Sequence, residues 1–150
     1  MHVGDGVLCD ATCATNVPDV VACCDVARFH HAQLDEALRI EHWTHAVEMA
    51  NHAALRLLGG PEHAQPFTPV PCFWSDQYDI KIQFAGSLRA GDRLELIEHA
   101  PQDGKLLALY GRADRLSGVL AWNRPAQLVR YRKAIAAGTA FSAAVAQARA

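Results

Sequence analysis

The sequence predicts an α+β fold in which an antiparallel sheet is followed by C-terminal helices. Its 150 residues are 51% hydrophobic and 20% charged, which is typical of a globular protein rather than a disordered or collagen-like chain. Strand-like runs separated by tight turns fill residues 80–122, and helical segments precede and follow them. The longest apolar runs fall well short of the ~20 residues of a membrane helix, so we expect a cytoplasmic protein without a membrane partner.

Residues 1–60 contain two short apolar runs and one helix. The runs Gly6–Asp10 and Val20–Ala22 are interpreted as buried strands. Nothing else in the first 70 residues is interpreted as a strand, so we expect residues 1–45 to be disordered or paired with a second copy, since an uncovered strand edge favours association. A helix is predicted over Ala46–Leu58, ended by Gly59-Gly60-Pro61. Its apolar stripe comprises Val47, Ala50, Ala54, Leu57 and Leu58.

A proline-rich segment follows this helix. Four of the seven prolines lie within eleven residues, at positions 61, 66, 69 and 71. Because proline fixes φ and restricts the preceding residue, the spacing predicts an extended connector over residues 61–72. A separate domain is therefore expected over residues 73–150.

The second half of the chain predicts a sheet and then two helices. The sheet is expected to be an antiparallel meander, because its strands are joined by short hairpin-type turns. Its strands are predicted at Ile80–Phe84, Leu94–Glu98, Leu106–Tyr110 and Val119–Trp122. Asn123 is the expected cap of the next helix, and Pro125 lies in its first turn. The apolar stripe of that helix comprises Leu128, Tyr131, Ile135 and Ala136, and a second helical segment is predicted over Ala140–Ala150.

Charge is distributed unevenly between the two ends of the chain. After Asp114 there are six basic residues and no acidic one, whereas the preceding residues carry all 16 acidic groups. A basic tail of this kind is most often a solvated helix face, but it also suits docking of an acidic protein. We expect no nucleic-acid partner.

Histidines and cysteines are the candidate metal ligands of this sequence. His45, Glu48 and His52 would share one helix face, but their spacing is not that of a zinc-binding helix, which favours a solvated face. Cys9, Cys13, Cys23 and Cys24 are poorly spaced for tetrahedral zinc because neighbouring strand side chains point to opposite faces. Small buried thiols are the favoured interpretation, so no metal site is predicted, and a metal-binding protein ranks last among the functions considered.

No motif for independent catalysis is present. The chain contains no nucleophile elbow, no P-loop and no Gly-x-Gly-x-x-Gly fingerprint. The densest unusual feature is the segment Phe73–Tyr78, in which three aromatic residues flank the polar run Ser-Asp-Gln. It is interpreted either as a core anchor beside the sheet or as a contact surface for a flat cofactor.

Four stretches together resemble a known family. They are Val17–Ala27, Arg39–Trp43, Pro71–Asp79, and Ala108–Arg112 continuing to Asn123–Pro125. In order and spacing they resemble the C-terminal part of the FAD-dependent, NADH-using ferredoxin reductases that serve cytochrome P450 and dioxygenase systems, such as the putidaredoxin and rhodocoxin reductases. The resemblance runs along nearly the whole chain.

The resemblance implies a set of cofactor and partner residues. It places Asp25 and the adjacent Val26 at the ribityl chain of FAD, although Cys24 stands where the family has glycine. It places Glu41, His42 and Trp43 beside the isoalloxazine, and Phe73 and Trp74 near the flavin edge that ferredoxin approaches. The expected contacts for an acidic partner are Trp74, Arg124, Arg130, Arg132 and Lys133.

The resemblance also implies a domain plan and a function. Residues 1–60 would be a strand-turn-helix remnant of an α/β FAD-binding domain, and residues 73–150 would be the reductase C-terminal domain. The chain is then expected to be the C-terminal portion of an enzyme that transfers electrons from NAD(P)H through FAD to a ferredoxin-type iron–sulfur protein. With only part of the FAD site, it is not expected to be active alone.

Two other expectations concern how the chain assembles. A non-enzymatic module for dimerisation or for docking a redox partner is the alternative function. The expected assembly is either a homodimer or a complex with a separate N-terminal reductase portion.

Overall fold

The polypeptide of the computed structural model, described for residues 1–150, divides after Pro71. The N-terminal unit comprises Met1–Pro71 and the C-terminal unit comprises Cys72–Ala150. None of the three helices is long and apolar enough to span a membrane.

The N-terminal unit contains a four-stranded sheet with the order β1-β2-β3-β4. Its strands are β1 (Val3–Gly4), β2 (Gly6–Leu8), β3 (Ala27–His31) and β4 (Glu36–Leu38). The β2 and β3 strands are parallel, and the outer pairs are antiparallel. The expectation that residues 1–45 would be disordered or need a second copy is therefore wrong, because β3 and β4 supply the missing partners within the unit.

The reason these two strands were missed is their polarity. In β3 the buried positions are Ala27, Phe29 and His31, so a histidine occupies one inward position of an alternating strand. A search for apolar runs does not detect this pattern. The segment Val20–Ala22, by contrast, forms only an isolated bridge between Val21 and Ala14.

Helix α1 spans Trp43–Gly59, beginning three residues before the predicted helix. Its orientation is opposite to the predicted one. His45, Met49 and Ala53 are buried, whereas the whole predicted apolar stripe faces solvent, with Leu58 87% exposed. The core that α1 covers includes Phe29 and Phe67, so the rings of β3 and of the proline-rich segment select the buried face.

The proline-rich segment belongs to the core of the N-terminal unit. It begins with a 3-10 turn at Pro61–His63 and continues in an irregular conformation. Phe67 and Val70 are buried, and the Phe67 amide donates a hydrogen bond to the Ala11 carbonyl at 2.6 Å.

The C-terminal unit has the predicted α+β class, an antiparallel sheet followed by helices. The strands are β5 (Cys72–Gln77), β6 (Ile80–Gly86), β7 (Arg93–Ala100), β8 (Lys105–Arg112) and β9 (Arg115–Trp122). The helices are α2 (Pro125–Ala136) and α3 (Phe141–Arg149). All strand pairs are antiparallel, which confirms the predicted sheet type.

The connectivity departs from the predicted simple meander. The strand order is β5-β6-β9-β8-β7, so only β7, β8 and β9 form a meander, and the β5–β6 hairpin joins it along β9. Strand β5 was not predicted, because most of its side chains are exposed and show no regular alternation of burial.

Two helices complete the C-terminal unit. In α2, Leu128, Tyr131 and Ile135 are buried as predicted, whereas Ala136 is exposed. The expected cap is wrong by one residue, since Arg124 precedes the helix and Pro125 is its first residue. At the start of α3, Phe141 lies directly over Gly111, where an added Cβ would come within 2.3 Å of the ring.

Candidate functional site

The turn that carries Asp25 lies between an extended segment and strand β3. It is a 3-10 turn at Cys24–Val26, and Cys24 has a φ of +65°. A positive φ is the conformation that glycine adopts most easily, so Cys24 keeps the backbone shape expected for the glycine it replaces. Asp25 and Val26 are exposed, and no group of the chain donates a hydrogen bond to the Asp25 carboxylate.

A sulfur contact joins this turn to the start of α1. The Cys24 thiol donates to the Ala46 carbonyl at 3.2 Å. Burial, followed by a hydrogen bond with the neighbouring Cys23 thiol, raises the pKa of Cys24 to about 11, so the thiol stays protonated and remains a donor near neutral pH. The Asp25 turn and the first turn of α1 are therefore held side by side.

Glu41 is joined to the same turn through Arg39. The Arg39 guanidinium donates to the Glu41 carboxylate and to the Asp25 carbonyl, the latter at 3.2 Å. Arg39 was not predicted as a site residue, although its two-residue spacing from Glu41 in an extended segment was a usable signal, because such residues point to the same side.

His42 and Trp43 stand at the N-terminal end of α1. His42 is the residue preceding the helix, and no side chain caps its first turn. Burial lowers the pKa of His42, which favours the neutral imidazole. Trp43 is 79% exposed. The structure thus brings together five of the predicted cofactor residues within the N-terminal unit: Asp25, Val26, Glu41, His42 and Trp43.

Phe73 and Trp74 lie in the C-terminal unit, on the edge strand β5. As neighbours in a strand they point to opposite faces of the sheet. Phe73 packs against Phe84 with ring centroids 5.7 Å apart, and Trp74 is 46% exposed. The Phe73 ring therefore packs within the sheet surface, whereas the Trp74 ring is half exposed on the opposite face.

The predicted partner residues of the C-terminal unit differ in their surroundings. Arg124 donates through two nitrogens to the Glu98 carboxylate, which lowers the pKa of that carboxyl, so its charge is already matched. Arg130 and Lys133 are exposed on α2, and Arg132 is partly buried. The basic residue Arg149 also pairs, with Glu95.

The interpretation of His45 as part of a solvated face is wrong. Its side chain is 1% exposed and lies between Phe29, which stacks on it at 5.8 Å, and Phe67, whose ring centroid is 5.3 Å away. Neither ring nitrogen has a hydrogen-bond partner. Burial lowers the pKa of His45 to about 4, with the neighbouring His42 and His31 adding to the effect.

None of the five cysteines forms a disulfide. Cys13 is fully buried as expected, whereas Cys9, Cys23 and Cys24 are only partly buried. Cys23 and Cys24 do not lie in a strand, which corrects the geometry assumed for them. Burial raises the pKa of Cys9 to about 11 and that of Cys13 to about 12. No group of three or more potential metal ligands is found.

Comparisons with known proteins place this geometry in a family. The family described as reductase C-terminal matches residues 72–150. Over 138 residues the chain is 31% identical to the 5,5'-dehydrodivanillate O-demethylase ferredoxin reductase subunit of a Sphingobium species, covering 91% of this chain and 32% of that protein.

Two solved structures resemble the whole chain. The ferredoxin reductase for the CYP199A2 system from Rhodopseudomonas palustris has a TM-score of 0.82 and 29% identity, covering 99% of this chain and 38% of its own. The covalent putidaredoxin reductase–putidaredoxin complex has a TM-score of 0.81 and 28% identity, and the match covers 91% of this chain and 32% of that chain. The chain thus spans about a third of the length of these relatives. Since the family match covers more than half of the residues, this chain belongs to the reductase C-terminal family and corresponds to the C-terminal portion of ferredoxin reductases.

Proposed function

We propose that this chain supplies one wall of a flavin site and a docking surface in an electron-transfer enzyme. The enzyme would transfer electrons from NAD(P)H through FAD to a ferredoxin-type iron–sulfur protein. The observation that carries the proposal is the grouping of the Asp25 turn, Glu41 and the start of α1, joined by the contacts of Cys24 and Arg39.

The residues at this site fit a flavin in their chemistry. An exposed carboxylate without an internal donor, as in Asp25, can accept a charge-assisted hydrogen bond from a ribityl hydroxyl. The uncapped start of α1 presents the positive end of the helix dipole, which favours an electron-rich group. The exposed Trp43 ring can cover a flat ring and exclude water.

The bound flavin would supply the redox chemistry, accepting hydride and releasing single electrons. The residues of this chain would bind and orient it. Asp25 would hold the ribityl chain, and His42 and Trp43 would lie beside the ring system.

Ferredoxin docking is assigned to the outward face of α2. Arg130 and Lys133 are exposed there, whereas Arg124 and Arg149 are neutralised by glutamates. Positive charge that no acidic side chain of the same protein neutralises steers acidic proteins and strengthens encounter at low salt.

The FAD contribution is tested by titrating FAD with the full chain and following the fluorescence anisotropy of the flavin. We expect binding that is detectable at equilibrium but lost during gel filtration, because most of the cofactor contacts lie outside this third of the architecture. Asp25→Ala should weaken it roughly tenfold, the effect of losing one charge-assisted hydrogen bond.

Asp19→Asn is the control, since Asp19 is another exposed aspartate of the N-terminal unit and asparagine tolerates its positive φ. It should leave the titration unchanged. Equal FAD affinity in the Asp25→Ala variant and the wild type would remove Asp25 from the site.

The alternative function, a module for self-association, is favoured by one observation. The exposed stripe of α1 includes Val47, Leu57 and Leu58, which are at least half exposed and form an apolar surface. Sedimentation that shows a stable dimer, together with no response to FAD, would favour this alternative.

A further inference from the structure

One guanidinium group joins three separate segments of the N-terminal unit. Arg39 Nε donates to the Asp5 carboxylate at 2.9 Å, and Nη1 donates both to the Asp25 carbonyl at 3.2 Å and to the Glu41 carboxylate. Asp5 lies between β1 and β2, Asp25 lies in the turn before β3, and Glu41 lies just before α1.

The backbone around Gly6 leaves room for the Arg39 side chain. Gly6 has a φ of +101°, and a Cβ there would lie 2.8 Å from Arg39 Cδ and 2.7 Å from the Val26 carbonyl oxygen. The β1–β2 turn therefore lets the stem of Arg39 pass close to the Asp25 turn. Asp5 also accepts from Arg28 at 3.2 Å, through the other carboxylate oxygen, so Arg39 is one of two cations that contact Asp5.

We propose that Arg39 is a positioning residue of the flavin site, holding the Asp25 turn and the Glu41 carboxylate in place beside the start of α1. The expected effect of Arg39 on FAD binding rests on the proposed function, whereas the contacts of Arg39 with the Asp25 turn and Glu41 do not depend on the cofactor. The forked guanidinium is needed because it donates in several fixed directions, whereas a lysine ammonium is a point charge on a flexible stem.

The contacts of Arg39 should affect local order more than global stability. Arg39 is 31% exposed, and its partners Asp5 and Glu41 are more than half exposed, so solvent screens these ion pairs. Local opening of the Asp25 turn and of the first turn of α1 is therefore the property to measure. Two amides report on it: Ala27 donates to the Cys24 carbonyl, and Ala46 donates to the His42 carbonyl.

The test is amide hydrogen exchange in the full chain for wild type, Arg39→Gln and Arg39→Lys. Arg28→Gln is the matched control, because it removes the other cation on Asp5 and leaves the contacts of Arg39 in place. Both Arg39 variants should exchange at Ala27 and Ala46 about threefold faster or more, with unchanged circular dichroism, and the control should match the wild type. If Arg39→Gln fails to fold, Arg39→Lys alone decides the question.

Titration with FAD separates this inference from the proposed function. Weaker FAD binding in both Arg39 variants, with unchanged binding in Arg28→Gln, supports both. A wild type that does not respond to FAD counts against the proposed function and leaves the exchange data to decide on Arg39. Exchange rates in the Arg39 variants equal to those of the wild type would overturn the inference.

Discussion

His45 is an ionisable residue buried in an apolar environment. It is a titratable group enclosed by Phe29 and Phe67 with no hydrogen-bond partner for either nitrogen, and burial lowers its pKa from 6.5 to about 4. Protonation inside this ring cluster is unfavourable, whereas the unfolded chain takes up the proton readily.

The consequence is a loss of stability in mild acid. Because the folded pKa lies below the unfolded one, the unfolded state binds more protons between about pH 6.5 and pH 4, so the free energy of unfolding decreases as pH falls through that window. The shift corresponds to about 3 kcal/mol for this residue. His45→Leu should flatten the pH dependence of urea unfolding, measured by circular dichroism, and should leave stability at pH 7 equal or higher.

His30→Gln is the control for this measurement, because His30 is exposed and pairs only with Asp35. It should retain the steep acid dependence of the wild type. An unaltered pH dependence in His45→Leu would mean that the buried neutral imidazole does not govern acid stability.

The presence of helix α1 could be predicted from sequence, but the face that it buries could not. Its helical period and its Gly-Gly-Pro end are local properties, and the helix ends at Gly59, one residue after the predicted Leu58. Two apolar faces compete for burial, however, and the outcome depends on which one meets Phe29 and Phe67. Those rings come from β3 and from the proline-rich segment, so only tertiary structure decides that His45 is buried and Leu58 is exposed.

The same distinction applies to the candidate site. Asp25, Glu41, His42 and Trp43 could be named from sequence because they lie in short stretches that resemble a family. For Arg39, the spacing from Glu41 was a local signal, but its contact with Asp5 was not predictable, because Asp5 is 34 residues away and lies in a turn between two strands that were not paired from sequence.

Helix α2 carries a prediction about the electron-transfer partner. Replacing Arg130 and Lys133 together with glutamine should weaken binding of an acidic ferredoxin-type iron–sulfur protein roughly three- to tenfold at low salt, and the difference should shrink as salt is raised to about 0.3 M. Surface plasmon resonance with immobilised ferredoxin measures both effects.

Arg149→Gln serves as the matched control for this helix, since Arg149 already pairs with Glu95. It should reduce binding much less than the double variant. Affinity that does not change in the double variant would make the outward face of α2 an ordinary solvated surface.

At the scale of the whole molecule, the chain contains two units, and the family match covers only the C-terminal one. The C-terminal unit has a five-stranded antiparallel sheet followed by two helices, and its sequence matches the reductase C-terminal family along its length. The N-terminal unit has its own small core but exposes an apolar helix face and a carboxylate without an internal donor. An exposed apolar helix face is typical of a surface that contacts further protein.

The most direct test of this account is electron transfer by a fusion protein. The matched third of the Sphingobium ferredoxin reductase subunit is replaced by residues 1–150 of this chain, and NADH-dependent reduction of ferredoxin is measured beside the isolated chain with added FAD. We expect reduction by the fusion and none by the isolated chain. A folded fusion that binds FAD and reduces ferricyanide but not ferredoxin, or an isolated chain that reduces ferredoxin by itself, would contradict the account.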